Sequence, residues 1–460
     1  MRFVLKRKRK NMQSSSKTIF ITSFHVLVSR NILASPFFDL LKKDGWKIVV
    51  VMPEKKREYF EREFGGENVF IEGVKNTLGR ADDFFKDIAL AAIRTRSLAE
   101  MRCRGMGMER PLSQKLFFFA PVIRSFIPLL YKVLASRNAF RDLFNKHKPS
   151  VVFSTDVFSS NDCRIMNEAR HLGIPTVGMV RSWDNLTTKG GFRVVPDKLV
   201  VHGKIQRDEA VRFHGISLEI IDVVGVPHYD SYLTPSENFD KVSIGVPSGK
   251  PFIVFAPLGD RIMKVGDRVQ KHRYDEEMIA ILDRIIPADY FLVVRFPPTD
   301  TVTVDRVRLS PRVVFQEPGV RFGEGVKGVR ASEMGKEDDK VLQKTLRGAS
   351  VLVNPFSSLC IDAVVLDRPV IIPTFVPSSA GDLKGVLGVQ GFNHLERVFQ
   401  GGCQVARNET ELRNAIISYC NNPSSDKEER RRFAEDECYC LDGKASARLL
   451  GVISSVIKTP

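Results

Sequence analysis

The stretch Val351–Pro373, VLVNPFSSLCIDAVVLDRPVIIP, contains residues whose types and spacing are well suited to chemistry. A β-branched strand ends at Pro355, Ser357 and Ser358 follow, and a helix begins, so either serine suits the helix N-cap. The free N–H groups and positive dipole end of such a helix would form a phosphate cradle. Asp362, one turn further on, could accept hydrogen bonds from a ribose or sugar diol. The alternative is an ordinary serine cap followed by a solvated aspartate.

Two residues that follow predicted strands are candidates for a general base. His25 comes just after TIFITS (18–23), and Asp156 ends PSVVFSTD (149–156). Both positions fall at the carboxyl edge of a predicted sheet, where a base could reach an acceptor hydroxyl. The alternative for His25 is a loop histidine that is hydrogen-bonded to the backbone.

A third polar group follows the strand IPTVGMV (174–180) and contains one of only two tryptophans in the chain. A tryptophan beside aspartate and asparagine is a common sugar-binding combination, with an apolar face against the ring and polar groups against the hydroxyls. The pattern predicts acceptor binding, and the alternative is a structural turn. The residues of this group are Ser182, Trp183, Asp184 and Asn185.

Several catalytic classes lack their motifs in this sequence. No GxxxxGK[ST] occurs, and no GxGxxG follows a strand, which argues against a P-loop ATPase and a dinucleotide oxidoreductase. Of the seven cysteines only Cys438 and Cys440 are close together, and no other Cys or His pair has zinc spacing. We therefore expect no metal and no cofactor. The odd cysteine number also argues against a disulfide framework and favours a reduced, cytoplasmic protein.

The net charge of +16 is concentrated in two parts of the chain. Residues 1–17 contain seven Lys/Arg and no acid, and residues 80–148 contain fourteen Lys/Arg against six Asp/Glu. Such an excess points to an anionic partner, namely nucleic acid, an acidic membrane or a phosphorylated ligand. No nucleic-acid-binding module is recognisable, so we expect no nucleic acid partner.

The basic segment interleaves clustered Phe, Leu and Ile with Lys115, Arg124 and Lys132. Aromatic and aliphatic residues flanked by cations are typical of a surface that enters an anionic bilayer interface. The alternative is a buried helical pair in which the aliphatic parts of the Lys and Arg side chains are buried and their charged ends lie at the surface. No run reaches the length of a membrane span, and residues 1–10 lack the apolar core of a secretory signal. The prediction is a cytoplasmic protein, peripheral on the inner face of the cell membrane.

Strands and helices alternate along the rest of the chain, which predicts right-handed βαβ units and parallel sheets. We expect two Rossmann-like, doubly wound α/β domains that face a central cleft, since ligands bind at the carboxyl ends of such strands. The amphipathic stretch 30–45 predicts one continuous helix. The boundaries that we predict are a basic arm at 1–17, an N-terminal acceptor domain at 18–235, a linker at 236–250, a nucleotide-donor domain at 251–440, and a C-terminal helix at 441–460.

The pattern SSxxxDAxxxxxPVI, after a strand and a polar turn, resembles the donor site of GT-B type transferases. The resemblance is greatest to CDP-glycerol glycerophosphotransferase-like and surface (capsular) polysaccharide glycosyltransferases, and it spans nearly the whole chain from Thr18. It implies that Ser357 and Ser358 hold the donor phosphates, Asp362 the ribose or sugar, and Arg295 the diphosphate charge. Phe296 stands where many relatives have His before Pro, so a proton-donating role at this position is not expected.

The function that the sequence predicts is transfer of a sugar from a nucleotide-sugar to a lipid-linked or cell-surface polysaccharide acceptor. His25 or Asp156 would deprotonate the acceptor, while Arg295 would stabilise the leaving diphosphate. One alternative is transfer of glycerol phosphate from CDP-glycerol, and another is a sugar-nucleotide epimerase of the same architecture. An alternative of another class is a non-catalytic, membrane-associated binding protein that retains the fold.

Overall fold

The structure is a computed structural model. It describes residues 17–75, 78–103, 119–135, 138–234, 244–260, 264–265, 268–269, 273–322, 332–355, 357–377 and 391–457. The predicted arm at 1–17 therefore lies, except for Lys17, outside the described residues, as does residue 115 and most of the predicted linker.

The N-terminal half of the chain forms one seven-stranded parallel sheet in the order β3-β2-β1-β4-β5-β6-β7. Its strands are rich in Val and Ile and are mostly buried, as expected for a sheet that is covered on both faces. The strands are β1 (Thr18–Thr22), β2 (Lys47–Pro53), β3 (Val69–Val74), β4 (Val151–Ser154), β5 (Thr176–Met179), β6 (Lys198–Val201) and β7 (Ile221–Val223).

Helices connect these strands and cover the two faces of the first sheet. They are α1 (Val26–Val28), α2 (Pro36–Lys43), α3 (Arg57–Phe64), α4 (Arg80–Ala91), α5 (Arg96–Cys103), α6 (Ala120–Leu134), α7 (Arg141–His147), α8 (Ser160–His171), α9 (Asn185–Thr188), α10 (Lys204–His214) and α11 (Tyr229–Leu233).

The C-terminal half forms a six-stranded parallel sheet in the order β12-β11-β8-β15-β16-β17, and two short antiparallel ribbons pair β9 with β10 and β13 with β14. The strands are β8 (Phe252–Phe255), β9 (Lys264–Val265), β10 (Arg268–Val269), β11 (Phe291–Arg295), β12 (Val313–Gln316), β13 (Val320–Arg321), β14 (Ser332–Glu333), β15 (Leu352–Val353), β16 (Val370–Pro373) and β17 (Gln404–Ala406).

The helices of the C-terminal half complete a second doubly wound unit. They are α12 (Tyr274–Ile285), α13 (Lys336–Gly348), α14 (Leu359–Val365), α15 (Asn393–Phe399), α16 (Glu409–Asn421), α17 (Lys427–Cys438) and α18 (Ala445–Ser455). The two parallel α/β domains agree with the predicted GT-B architecture, and their carboxyl strand ends face a common cleft.

The last helix returns to the N-terminal domain. Leu449 and Ile453 of α18 are fully buried in the same apolar cluster as Phe37 and Leu41 of α2. Asp230 accepts hydrogen bonds from the first two N–H groups of α18, those of Ala445 and Ser446, at 3.0 and 2.7 Å. The chain thus passes from the C-terminal domain, where α17 packs, to the N-terminal domain, where α18 packs.

The prediction of one continuous helix over 30–45 is wrong. After α1 the chain makes a π-helical turn over Ser29–Leu33, closed by the Ala34 N–H to the Ser29 carbonyl at 2.7 Å. A new helix, α2, begins at Pro36, because proline suits the first helical position and cannot continue an earlier helix. The break matters because the π turn carries Arg30 toward the other domain.

Candidate active site

A cavity of about 310 Å³ lies between the two domains. The N-terminal domain lines it with His25 and Arg30, which follow β1, and the C-terminal domain lines it with Arg295, Ser358 and Asp362. Ser357 also borders it. The structure therefore brings together all the predicted donor-binding residues and one of the two predicted bases, at the carboxyl edges of both sheets.

Arg295 ends β11 and projects a buried cation into this cavity. Only 5% of the residue is exposed, and its N–H groups donate to the Gln316 side chain at 2.9 Å and to the Asp338 carbonyl at 3.4 Å. Among the described residues no carboxylate forms an ion pair with it. Burial lowers the pKa of Arg295 to about 10, so it stays charged at neutral pH. A buried, unpaired guanidinium is suited to an anionic ligand.

The turn before α14 differs from the predicted cradle of free N–H groups. Ser357 Oγ accepts from the Leu359 N–H at 3.3 Å, and the Cys360 and Ile361 N–H groups donate to the carbonyls of Ser357 and Ser358. These N–H groups are therefore already used within the turn. Ser358 is the N-cap residue of α14, but its side chain makes no capping bond, and its hydroxyl is a polar group at the cavity wall.

Asp362 is held by protein donors instead of lying open to a ligand. It forms an ion pair with Arg30, accepts a hydrogen bond from the Tyr232 hydroxyl at 2.9 Å, and is 2% exposed. Although burial opposes ionisation, the Arg30 guanidinium keeps the pKa of Asp362 below its ordinary value. The alternative of a solvated aspartate is therefore wrong. Binding of a ribose or sugar by this carboxylate stays a prediction.

Arg30 is the site residue that sequence reasoning missed. It donates to Asp339 at 2.7 Å and to Tyr232 at 2.6 Å as well as to Asp362, so one arginine of the N-terminal domain holds two carboxylates of the other. It is 6% exposed and lines the cavity. It lies five positions after His25 in HVLVSR, but no local pattern indicates which domain it contacts.

His25 lines the cavity as the N-cap of α1. Its Nδ1 accepts the Leu27 N–H at 3.2 Å, which places the proton of a neutral ring on Nε2. Burial, with Arg181 and two lysines nearby, lowers the pKa of His25 well below its ordinary value. In this state the ring is neutral and offers an N–H to a ligand. To act as a base it would have to release the Leu27 bond.

The competing base, Asp156, is engaged elsewhere. Its carboxylate pairs with Arg181 at 2.8 Å and accepts the Phe158 N–H at 3.1 Å, and it is not among the residues that line the 310 Å³ cavity. Nearby, the fully buried Asp162 accepts from Thr22 and Ser154, and burial raises its pKa to about 7. Sequence reasoning did not single out Asp162, because it lies inside α8.

The group 182–185 does not present an open sugar platform. Trp183 is 6% exposed and belongs to the apolar core of the C-terminal domain, with its ring edge-on to His394 at 5.0 Å. Asp184 accepts from Asn185 and Thr188 at the start of α9. Ser182 and Trp183 line a second, smaller cavity that adjoins the main one. Acceptor binding by this group stays a prediction.

Comparison with known families identifies the chain. The sequence model of CDP-glycerol:poly(glycerophosphate) glycerophosphotransferases matches residues 193–455, more than half of the protein. The chain belongs to this family. It is therefore a nucleotide-dependent transferase of the GT-B type, acting on glycosyl or glycerophosphoryl groups. No curated protein matches the chain.

Solved structures with the same fold include transferases and epimerases. The wall teichoic acid polymerase TagF with CDPG is 11% identical over 96% of this chain and 89% of its own, with a TM-score of 0.52. MnaA of S. aureus with UDP is 13% identical over 97% of this chain and 99% of its own, with a TM-score of 0.53. UDP-GlcNAc 2-epimerase of Methanocaldococcus jannaschii is 12% identical over 96% of this chain and 99% of its own, with a TM-score of 0.52. At such identities the likeness shows the fold alone.

Phe296 lies where the family resemblance leads one to expect histidine. Its ring is 5% exposed, contacts Phe315 edge-on at 5.8 Å between centroids, and lines the cavity beside Arg295. An apolar ring at this point supplies packing and no proton. Of these two neighbours only Arg295 brings a charge to the cavity.

The predicted membrane residues have different surroundings. Arg124 of α6 donates to the Phe213 carbonyl at 3.0 Å, near the end of α10, so its guanidinium is used within the protein. Lys132 is exposed on the same helix, and Lys115 lies outside the described residues. Within the described part of the chain, no helix has the length and apolarity that crossing a bilayer requires.

Proposed function

We propose that this family member transfers glycerol phosphate from CDP-glycerol to a hydroxyl of a lipid-linked or polysaccharide acceptor. The observation that carries the proposal is Arg295, a buried cation without an ion-pair partner among the described residues, in a cavity between the domains. Membership of the glycerophosphotransferase family favours this donor over the nucleotide-sugar that the sequence predicted.

The reaction that we propose is a single displacement at phosphorus. The acceptor oxygen forms a bond to the phosphorus that carries glycerol, the bond from that phosphorus to the bridging oxygen breaks, and CMP leaves with the electron pair. The acceptor proton passes to a base or to water. Arg295 would stabilise the charge that develops on the bridging oxygen as it leaves with CMP, and the Ser358 hydroxyl would donate to a phosphate oxygen.

His25 has the role of positioning the acceptor in this proposal. Its Nε2–H would bind the attacking oxygen or a phosphate oxygen, because Nδ1 is occupied by the Leu27 N–H. If the Leu27 bond is released during the reaction, the neutral ring can also take the acceptor proton. We propose that no metal or other cofactor takes part, since the cationic groups come from the protein itself.

A sugar-nucleotide donor is the second candidate, favoured by Phe296. An apolar ring beside Arg295 would suit a donor whose nucleoside diphosphate leaves without proton donation at this position. In that reaction the acceptor oxygen would attack the anomeric carbon and a nucleoside diphosphate would leave. The same Arg295 and Ser358 would hold the diphosphate.

We also propose that α6 rests on the inner, anionic face of the cell membrane. One side of α6 packs inward through Ala120, Ile127 and Tyr131, while the apolar side chains of the other side are between 47 and 65% exposed. Such a face, with Lys132 on the same helix and an excess of basic residues in segment 80–148, suits an anionic bilayer interface. The exposed residues are Phe119, Val122, Phe126, Leu129, Leu130, Val133 and Leu134.

The donor can be tested by thermal unfolding of the protein with CDP-glycerol, CDP, UDP-sugars and GDP-sugars. A ligand present at a hundred times its dissociation constant stabilises the folded protein by about 2.7 kcal/mol. We expect the largest rise in melting temperature with CDP-glycerol. A larger rise with a nucleotide-sugar would favour the second candidate, and no rise with any nucleotide would contradict both.

A further inference from the structure

A second cavity, of about 40 Å³, lies beside the main one in the same cleft. The two share four lining residues, namely Leu27, Arg30, Ser358 and Asp362. A group bound in the small cavity would therefore lie next to the proposed donor site. By volume it holds a group of about two non-hydrogen atoms, such as a hydroxymethyl.

Buried polar atoms without partners line this small cavity. Among the described residues, His202 Nε2, both ring nitrogens of His228 and Asn31 Oδ1 have no hydrogen-bond partner. His202 is 7% and His228 4% exposed, and the nearest carboxylate oxygen of Asp362 is 3.8 Å from His228 Nε2, beyond hydrogen-bond range. Because an unpaired buried polar group destabilises a protein, these atoms indicate that the cavity binds a polar group.

The charge of the cavity wall favours a neutral occupant. Burial lowers the pKa of His202 to about 3 and also lowers the pKa of His228, so both rings are neutral and each has one N–H and one lone pair. The charged groups of the wall already have partners, since Arg30 pairs with Asp362, Arg181 with Asp156 and Glu437 with Arg397. No charge of the wall therefore requires an ionic occupant. A group that both donates and accepts, such as a hydroxyl, satisfies these atoms best.

We propose that His202, His228 and Asn31 form a subsite for a hydroxyl group of the acceptor. The proposal rests on the proposed transferase function, because it assigns the occupant to the acceptor substrate. Binding a second hydroxyl here, beside Ser358, would fix the acceptor with its attacking hydroxyl toward the donor. The subsite would select polyol or sugar ends over alkyl ends, since an alkyl group would leave the histidine nitrogens unpaired.

The test compares two probes, glycerol 3-phosphate and propyl phosphate, which lacks both hydroxyls, by titration calorimetry with the full-length protein. We expect the wild type to bind glycerol 3-phosphate about 10- to 100-fold more tightly. H202F and H228F should reduce that ratio to about one while propyl phosphate binds as before. H202Q and H228Q are more conservative substitutions, which can be measured in case the phenylalanine variants do not fold.

The matched control is H214F, because His214 is equally buried but bonds to the Leu186 carbonyl at 2.8 Å and lies outside both cavities. It should keep the wild-type ratio. Equal affinities of the wild type for the two probes, or no binding of either, would overturn the proposal. An affinity ratio that stays at the wild-type value in all the His202 and His228 variants would also overturn it, because the cavity would then hold only water. Thermal stabilisation by CDP-glycerol, measured on the same samples, tests the transferase function separately.

Discussion

The Arg295 guanidinium combines burial, positive charge and neutral hydrogen-bond partners at the end of β11. If it binds the donor diphosphate, R295A removes a charge-assisted hydrogen bond worth about 1.5–3 kcal/mol. We expect the dissociation constant for CDP-glycerol, measured by titration calorimetry, to rise about 10- to 100-fold.

The matched control for R295A is R312A. Arg312 lies at the opposite, amino end of the same sheet and donates to the carbonyls of Pro287, Ala288, Tyr290 and Asp283. The R312A substitution removes the same charge far from the cavity and should leave the affinity for CDP-glycerol unchanged. Equal affinities of R295A and wild type would contradict the role of Arg295.

Because of Asp162, the free energy of unfolding should depend on pH, and the direction of that dependence follows from the pKa of this residue. Burial raises its pKa to about 7 in the folded state, whereas an unfolded aspartate has a pKa of about 3.9. Between these values the folded state binds the proton and the unfolded state does not, so stability falls as pH rises, by about 1.4 kcal/mol per pH unit. D162N keeps an acceptor for Thr22 and Ser154 and should remove this slope.

The measurement is urea unfolding of wild type and D162N at pH 5 and pH 7. We expect the stability of D162N relative to wild type to be greater at pH 7 than at pH 5. A constant difference between the two proteins would show that Asp162 is ionised in the folded state.

At the scale of elements, α6 carries the proposed membrane surface. Replacing Phe126, Leu129 and Val133 with serine removes apolar area that lies on the surface, so the free energy of unfolding should change by less than about 0.5 kcal/mol per residue. Sedimentation with anionic vesicles should show at least about tenfold weaker binding, since each lost apolar side chain is worth about 1 kcal/mol or more at a bilayer interface.

The control variant for α6 is L218S/V307S, which changes two other exposed apolar residues, one in each domain. It should bind vesicles as the wild type does. Unchanged binding of the triple variant, or equal binding of the wild type to neutral and anionic vesicles, would count against the α6 surface.

The elements themselves were largely predictable where the sequence pattern is strong. The β-branched run at 47–53 predicts a strand, and helical periodicity predicts helices near 204–214 and 409–421. The structure places β2, α10 and α16 at these positions. The strand β17 was missed, since three half-buried residues at a sheet edge carry little pattern. α3 was missed as well, because its charged sequence REYFEREF shows only a short apolar stripe.

At the scale of the whole molecule, buried ion pairs join the two domains. Arg30 bonds to Asp339 and Asp362, and Lys56 bonds to Glu333, across the cleft. R30A would leave two buried carboxylates without their cation and should lower the free energy of unfolding by about 3–5 kcal/mol. Urea unfolding measures the loss. R431A, which breaks an exposed pair with Glu435, should cost at most about 1 kcal/mol.

A loss of unfolding free energy for R30A no greater than that for R431A would show that the pairs across the cleft do not hold the domains together.

These pairs also mark the limit of sequence reasoning. Strand ends in the sequence indicated His25 and Ser358, since parallel strands bring their carboxyl ends to one edge. Arg295 was indicated by the family resemblance. Arg30 lies in the π-helical turn and His228 is the N-cap residue of α11. Their contacts depend on how the two domains meet, which no local pattern contains.

Release of CMP from CDP-glycerol in the presence of a glycerophosphate polymer tests the proposed reaction most directly. The wild type should release CMP and extend the polymer by glycerol phosphate, with the same rate after treatment with EDTA. R295A should be about 10²- to 10³-fold slower at saturating donor, and R312A should match the wild type per folded molecule. Wild-type protein that binds CDP-glycerol without releasing CMP, or R295A that turns over at the wild-type rate, would contradict the reaction proposed for this cleft.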